Sequence, residues 1–458
     1  MKNISHLLIY AAAGFYHLAP EAGHAMRDSF IPTAPEALTL RVSPEREILS
    51  RRGSREVIVQ VEVEARPSDR NSRAPMNLAV VLDHSGSMSG AKIEKARQAA
   101  CVAVDQLDAS DVFSLVIYDS RAEVLIPPQR LETQRDRDAV KARINRIQPD
   151  SGTGLHAGVV LGAEQLRRFM DKERINRIVL LSDGLANEGP SQPGQLADLG
   201  RDLRREGMSV STIGLGDDYN EDLMTALAES SHANYYYVQD AEKLPGIFSK
   251  ELGAARSVLA RTVIIRIEAP EGVRLREILG HPEVRCEGRT AEITMPEYFG
   301  SDRRRFLVKC TVDSSDVDRM KIADVALSYD DATSKQRLTQ NQAATVAISD
   351  DEIAVEKSLR PEISKEVAVL ENRIDKEEAV RLADAGKARE ATELLRSRAA
   401  QNAAAPVAQQ LPNVAEENRK LEATASEIST QGTLLKSSRK QVQWENYQDK
   451  YQKRSASH

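Results

Sequence analysis

The sequence predicts an α/β protein: a doubly wound, mainly parallel sheet inserted in a β-sandwich, with a helical C-terminal region. Three observations predict it. Between residues 76 and 257, short apolar runs rich in Val and Ile alternate with helical patterns, as in a parallel sheet covered by helices. At 36–66 and 258–350, on either side, β-like runs follow one another and no helical pattern intervenes. From residue 351 to 458, Gly and Pro nearly vanish and apolar residues recur at helical spacing.

Taken in order, residues 1–35 read as unstructured. Lys2 precedes a short apolar stretch, Leu7 to Phe15, and Ala25 could end a cleavable segment. His6, His17, Glu21 and His24 make a poor signal peptide, and Met26 is an alternative start. The expectation is a cytoplasmic protein; cleavage of residues 1–25 would make it exported or periplasmic. Leu38, Leu40 and Val42 alternate with Thr39 and Arg41, and Val57, Val59, Val61 and Val63 alternate with mostly polar neighbours. Both are half-buried strands. Two strands with no helix beside them cannot bury a face alone, so they are expected to join the later β-run in one sandwich. A turn at Arg51–Ser54 separates them, and a polar linker at Pro67–Pro75 follows.

The central segment carries strands at Leu78–Asp83, Val112–Tyr118, Ile178–Ser182, Ser209–Leu215 and Tyr235–Val238, with a hairpin strand at Glu123–Ile126. Its helices are read at Ala91–Leu107, Arg137–Ile147, Leu155–Met170, Leu196–Arg205, Glu221–Ser230 and Glu242–Ala255. Next come β-runs at Thr262–Ile267, Arg305–Val312, Ala323–Tyr329 and Ala344–Ile348, separated by turn signals. A helix pair is expected over Ile363–Ala400, then a loose linker at Ala403–Pro412 and a helix at Val414–Ile428. The basic tail from Leu435, with Trp444, Tyr447 and Tyr451, reads as a solvated frayed end that could instead contact an acidic surface.

The chain has 458 residues, enough for two or three domains. Its net charge is −6 with both signs interspersed, and aromatics are 4%, which gives neither a basic field nor a stacking platform for nucleic acid. No apolar run reaches the roughly 20 residues that span a bilayer. Three cysteines are no disulfide framework: Cys101 reads as a core residue, and whether Cys286 and Cys310 pair is open.

Chemistry concentrates in the stretch NLAVVLDHSGSMSG, Asn77 to Gly90. A buried strand ends in Asp83, and Ser85 and Ser87 follow at alternate positions before a helix. Ligands of open α/β sheets collect at such strand ends. Three oxygen side chains on one tight loop suit a hard cation. The bland reading is that Ser87 or Ser89 caps the helix. Two distant stretches speak for more. SGTGLHAG, Ser151 to Gly158, places Thr153 before another helix, and IVLLSDG, Ile178 to Gly184, ends a second buried strand in Asp183.

Together the three segments resemble the von Willebrand factor type A domain, a Rossmann-like fold whose metal-ion-dependent adhesion site is Asp-x-Ser-x-Ser, a distant Thr and a distant Asp. The resemblance implies that Asp83, Ser85, Ser87, Thr153 and Asp183 hold Mg²⁺, or Mn²⁺ or Ca²⁺ in its place. Ser85, Ser87 and Thr153 would bind directly, Asp83 and Asp183 through water. One coordination position would stay open for a partner protein's acidic side chain. Gly154 stands where the family more often has Ala; with His84 and Asp217 it is a candidate partner contact. The domain combination resembles bacterial proteins of this type and, distantly, the inter-α-trypsin inhibitor heavy chains, which implies binding and assembly and leaves oligomeric state open. Two acidic groups converging without a cation would repel, and one divalent ion neutralises both. A zinc site from His84 and His156 is disfavoured by the hydroxyl-rich spacing, and both histidines are expected to face solvent. No metalloprotease, P-loop or nucleophile-elbow motif is present, so no enzyme is expected. The alternatives are a scaffold with a structural metal, or a phosphotransfer Asp83, which would want a carboxylate where Ser85 stands.

Overall fold

The computed structural model describes residues 36–52, 56–67, 74–150, 152–171, 173–255, 258–281, 284–313, 317–404 and 412–450. The reading of residues 1–35 lies outside them, as do most of the Pro67–Pro75 and Ala403–Pro412 linkers, two residues of the Arg51–Ser54 turn, and Tyr451.

Leu38 and Leu40 turn inward along β1 (Leu38–Pro44). After the short β2 (Ile48–Ser50), Val57, Val59, Val61 and Val63 do the same along β3 (Glu56–Ala65). Their partners lie far along the chain, beyond an inserted α/β unit.

That unit runs through β4 (Met76–Asp83), α1 (Ala91–Gln106), β5 (Val112–Tyr118), β6 (Ala122–Arg130), α2 (Gln134–Ile144), α3 (Leu155–Arg167), β7 (Ile175–Ser182), α4 (Pro193–Arg205), β8 (Met208–Leu215), α5 (Glu221–Ser230), β9 (Tyr235–Val238) and α6 (Leu244–Ala255). Strand order is β6-β5-β4-β7-β8-β9, parallel except for the β5–β6 hairpin. The connections wind one way from β4 to β5 and the other way from β7 outward, so the switch point lies between β4 and β7. Every residue of β4 and β7 is buried, which explains the unbroken apolar runs. Leu78, Val80 and Leu82 pack on α1, α2 and α6; Ala79 and Val81 pack on α3 and its neighbours. Gly158 and Gly162 let α3 press on the sheet. A Cβ on Gly162 would stand 2.7 Å from Val81 Cγ2, and one on Gly158 2.8 Å from Tyr118 Cδ1.

The chain then returns to the sandwich with β10 (Val258–Glu268), β11 (Val273–Ile278), β12 (Cys286–Glu287), β13 (Thr290–Phe299), β14 (Arg303–Val312), β15 (Arg319–Asp331) and β16 (Arg337–Ser349). One sheet has the order β1-β3-β14-β11, the other β12-β13-β10-β15-β16-β2. Val61 of β3 pairs with Phe306 of β14, across the whole insertion. The valines of β3 share one core with Ile265, Ile267, Val325, Leu327 and Tyr329 from the facing sheet. Cys101, Cys286 and Cys310 are all free thiols.

After α7 (Glu352–Lys357), α8 (Pro361–Asp384) lies on the sandwich through Ile363 and Val367, which meet Leu279 and Leu307. It then packs with α9 (Ala388–Ala404) and α10 (Pro412–Gln431) through small residues, among them Ala379, Ala391 and Ala425. Asn402 of α9 donates to Asn372 of α8 at 2.8 Å and to Asn418 of α10 at 3.0 Å, a polar contact that fixes their register.

Several sequence readings need correction. The helix expected from Arg137 begins at Gln134, because Thr133 and Asp136 form a capping box. The helix expected from Leu196 begins with Pro193 in its first turn. The hairpin strand expected to stop at Ile126 continues to Arg130 through Pro127 and Pro128, which an edge strand tolerates. The tail read as frayed is α11 (Lys436–Lys450), docked on the inserted unit. Its Tyr447 is buried, donates to Ala233 O and meets the Tyr235 ring edge-on. Among the described residues no helix is long and apolar enough to cross a membrane.

Candidate metal centre

Asp83 ends β4 and Asp183 follows β7, so the two carboxylates come together where adjacent central strands end at the switch point. Between β4 and α1 the chain makes one 3₁₀ turn, Gly86–Met88, which carries Ser87, while Ser85 bridges to Asp150. Thr153 precedes α3, whose glycine contacts hold it under β4 and β5. A Cβ on Gly184 would stand 3.2 Å from Thr153 Oγ1 and 3.4 Å from Ser87 Oγ, so both hydroxyls face the same small space beside Asp183.

Hydrogen bonds join the set. Asp83 Oδ1 accepts from the Ser85 amide at 2.8 Å, and Oδ2 accepts from the Ser182 hydroxyl at 2.8 Å. The hydroxyls of Ser85 and Ser87 lie 3.0 Å apart, and Ser87 donates to Asp183 Oδ1 at 2.7 Å. The other oxygen of Asp183, Oδ2, accepts from Lys92 Nζ at 2.5 Å. Both carboxylates are completely buried. Burial pushes the Asp83 carboxyl above its ordinary value; bonds from Ser85 and Ser182 pull it back in part, and the charge of Asp183 adds to the rise.

The capping alternative fails for these serines. The N-cap of α1 is Gly90, with φ at +77° and no side-chain bond, and Ser89 donates to Gly86 O. The hydroxyls of Ser85 and Ser87 therefore face the carboxylates. Among the described residues, no group of three or more His, Cys, Asp or Glu could hold a metal. The donors gathered here are three hydroxyls and two carboxylates, an all-oxygen set that fits a divalent cation.

The candidate partner contacts fare differently. His84, expected to face solvent, is buried: its Nδ1 lies 3.0 Å from Gln148 O and its backbone amide donates to Tyr118 O. Gly154 is also buried, its amide donating to Asp119 O at 2.5 Å. Both hold the loop together and neither offers its surface. Asp217 is half-buried and accepts from the Tyr237 hydroxyl at 2.6 Å. His156 is half-buried too, and burial lowers its pKa. The sequence reading passed over Ser182, which holds Asp83, Asn187, whose Oδ1 accepts from the Thr153 amide at 2.9 Å, and Lys92. Ser182 had a signal, its place beside Asp183; Lys92 had none beyond its position in the first helical turn.

Residues 77–250 match the family model described as the von Willebrand factor type A domain. An uncharacterized protein of Synechocystis is 26% identical over 287 residues, which are 61% of this chain and 67% of that one. Inter-alpha-trypsin inhibitor heavy chain H3 of Rattus norvegicus is 26% identical over 163 residues, 34% of this chain but only 18% of its own length. Among solved structures, a von Willebrand factor type A protein from Catenulispora acidiphila superposes with a TM-score of 0.69 at 17% identity, covering 90% of this chain and 96% of that one. At that coverage the likeness of fold extends well beyond residues 77–250. The strand order, the two aspartates at the switch point and these matches agree: residues 77–250 are a von Willebrand factor type A domain.

Proposed function

We propose that this chain is a metal-ion-dependent protein-binding module, acting in adhesion or assembly and not in catalysis. One Mg²⁺, or Mn²⁺ or Ca²⁺ in its place, would be held by Ser85, Ser87, Thr153, Asp83 and Asp183. The ion supplies a Lewis-acidic position for an acidic side chain of another protein. The carrying observation is the convergence of two wholly buried carboxylates with three hydroxyls, against the single ammonium of Lys92. Neutral hydroxyls nearest the ion leave its charge to be met by the partner. The match to a domain family that includes the inter-alpha-trypsin inhibitor heavy chains supports the same reading.

The test is capture of protein partners on the immobilised full chain. Capture that needs Mg²⁺, is lost with EDTA and is lost in Asp83→Ala supports the proposal. Capture indifferent to EDTA and to the substitution contradicts it. That outcome favours a scaffold, a second reading with its own observation: Ser85, Ser182, Ser87 and Lys92 already give both carboxylates protein partners.

A further inference from the structure

Lys92 lies in the first turn of α1, its side chain about one-third exposed, with its ammonium 2.5 Å from the buried Asp183 Oδ2. Gly216, just past β8, lies beside it: a Cβ there would stand 3.7 Å from Lys92 Nζ, in ordinary contact, and φ at +74° favours glycine. Helix α1 and the loops after β7 and β8 thus enclose the ammonium at the edge of the candidate metal centre.

The charges can be counted. Asp83 and Asp183 contribute two negative charges and Lys92 one positive, leaving one negative. A divalent ion makes the loaded site one positive. One carboxylate from a partner brings it to neutral. Without Lys92 the loaded site would already be neutral, and the same carboxylate would leave it one negative.

We propose that Lys92 sets the charge of this centre, opposing the divalent ion and favouring the carboxylate that follows it. The inference rests on the metal-binding reading above. It makes Lys92 a specificity-determining residue for an anionic ligand, with effects of opposite sign on two binding steps. Charges enclosed at this range interact more strongly than exposed ones, so each effect is expected to reach about tenfold.

The test uses the full chain and its Lys92→Gln and Lys92→Arg variants. Mn²⁺ affinity is read from the electron paramagnetic resonance of the free ion. Acetate binding to the Mn²⁺-loaded protein is read from water-proton relaxation. Lys92→Gln should bind Mn²⁺ about tenfold more tightly and acetate about tenfold more weakly, while Lys92→Arg should keep both near wild type. A lysine that only braces Asp183 would give Mn²⁺ and acetate affinities that fall together in Lys92→Gln. That result, or no change in either, overturns the inference. If wild type binds no Mn²⁺, the metal-binding reading itself fails, and the inference with it.

Discussion

Ser182 and Thr153 do different work at the centre, and substitution should separate them. Ser182 is completely buried and donates to Asp83 Oδ2. In Ser182→Ala one oxygen of a buried carboxylate loses its donor, which should cost about 1–3 kcal/mol in chemical denaturation of the metal-free protein. Thr153 offers a hydroxyl beside Asp183 but bonds neither carboxylate; what holds it is its amide on Asn187. Thr153→Ala removes no partner from either carboxylate, so it should cost less stability than Ser182→Ala and weaken carboxylate binding more than ion retention, since four other donors remain. Calorimetry on both variants checks the contrast. The five candidate ligands were legible through the resemblance of three segments to the von Willebrand factor type A motif, two of those segments ending buried strands in Asp83 and Asp183. Lys92 and Ser182 were not, because what they touch is set by the approach of β4, β7 and α1 in space. His84 was misjudged because loops at strand ends usually face water, whereas this one is folded over Gln148.

At the scale of elements, α3 and α11 carry the sharpest expectations. Helix α3 sits close to β4 because Gly162 meets Val81 without a side chain. Gly162→Val would force the helix outward, carrying Thr153 with it. Overpacking of this kind should destabilise by about 1–3 kcal/mol and weaken Mg²⁺ binding at the same time, measured by thermal unfolding and by calorimetry. Helix α11 docks on the acidic start of α5. Arg439 donates to Glu221 at 2.5 Å and to Asp222 and Asp384 at 2.9 Å, and Lys440 donates to Glu221 at 2.6 Å over the Tyr219 ring. Acidic residues in the first turn of α5 already suit its dipole, so the docking surface serves the helix as well. Tyr447→Ala removes the buried anchor and should cost about 3–5 kcal/mol of local stability, read as loss of hydrogen-exchange protection confined to α11. Protection that stays at the wild-type level would contradict the docking. The sequence marked the tail as basic, but Glu221 and Asp222, on which it docks, lie more than 200 residues earlier, beyond any local pattern.

For the whole molecule, the joint between the von Willebrand domain and the sandwich passes through Arg177. This arginine of β7 is almost fully buried and donates to Glu251 at 2.5 Å. Its other side faces Glu297 at 4.0 Å and the Phe299 ring at 5.6 Å, both on β13 of the sandwich. Burial alone would raise the Glu251 carboxyl, but the charge of Arg177 and bonds from Ser211 and Asn234 hold it below its ordinary value. A lowered carboxyl contributes stability that is present above the unfolded value, about 4.3, and lost as pH falls through the folded value. Glu251→Gln leaves buried Arg177 with only the more distant Glu297 as counter-charge and should cost up to about 3–5 kcal/mol at neutral pH, with a flatter acid limb in its stability profile. The nested architecture was legible because β1 and β3 had no helix to lean on and the later β-run needed partners; the pairing of Val61 with Phe306 answers both needs. The lock between the units was not, since nothing in the sequence around Arg177 distinguishes it from a surface arginine. The central claim is that Asp83, Ser85, Ser87, Thr153 and Asp183 form one ion site, and calorimetric titration of Mg²⁺ into the full chain and Asp83→Ala tests it most directly. One ion bound per wild-type chain and none by a variant that remains folded is the expected result; equal binding by both would contradict it.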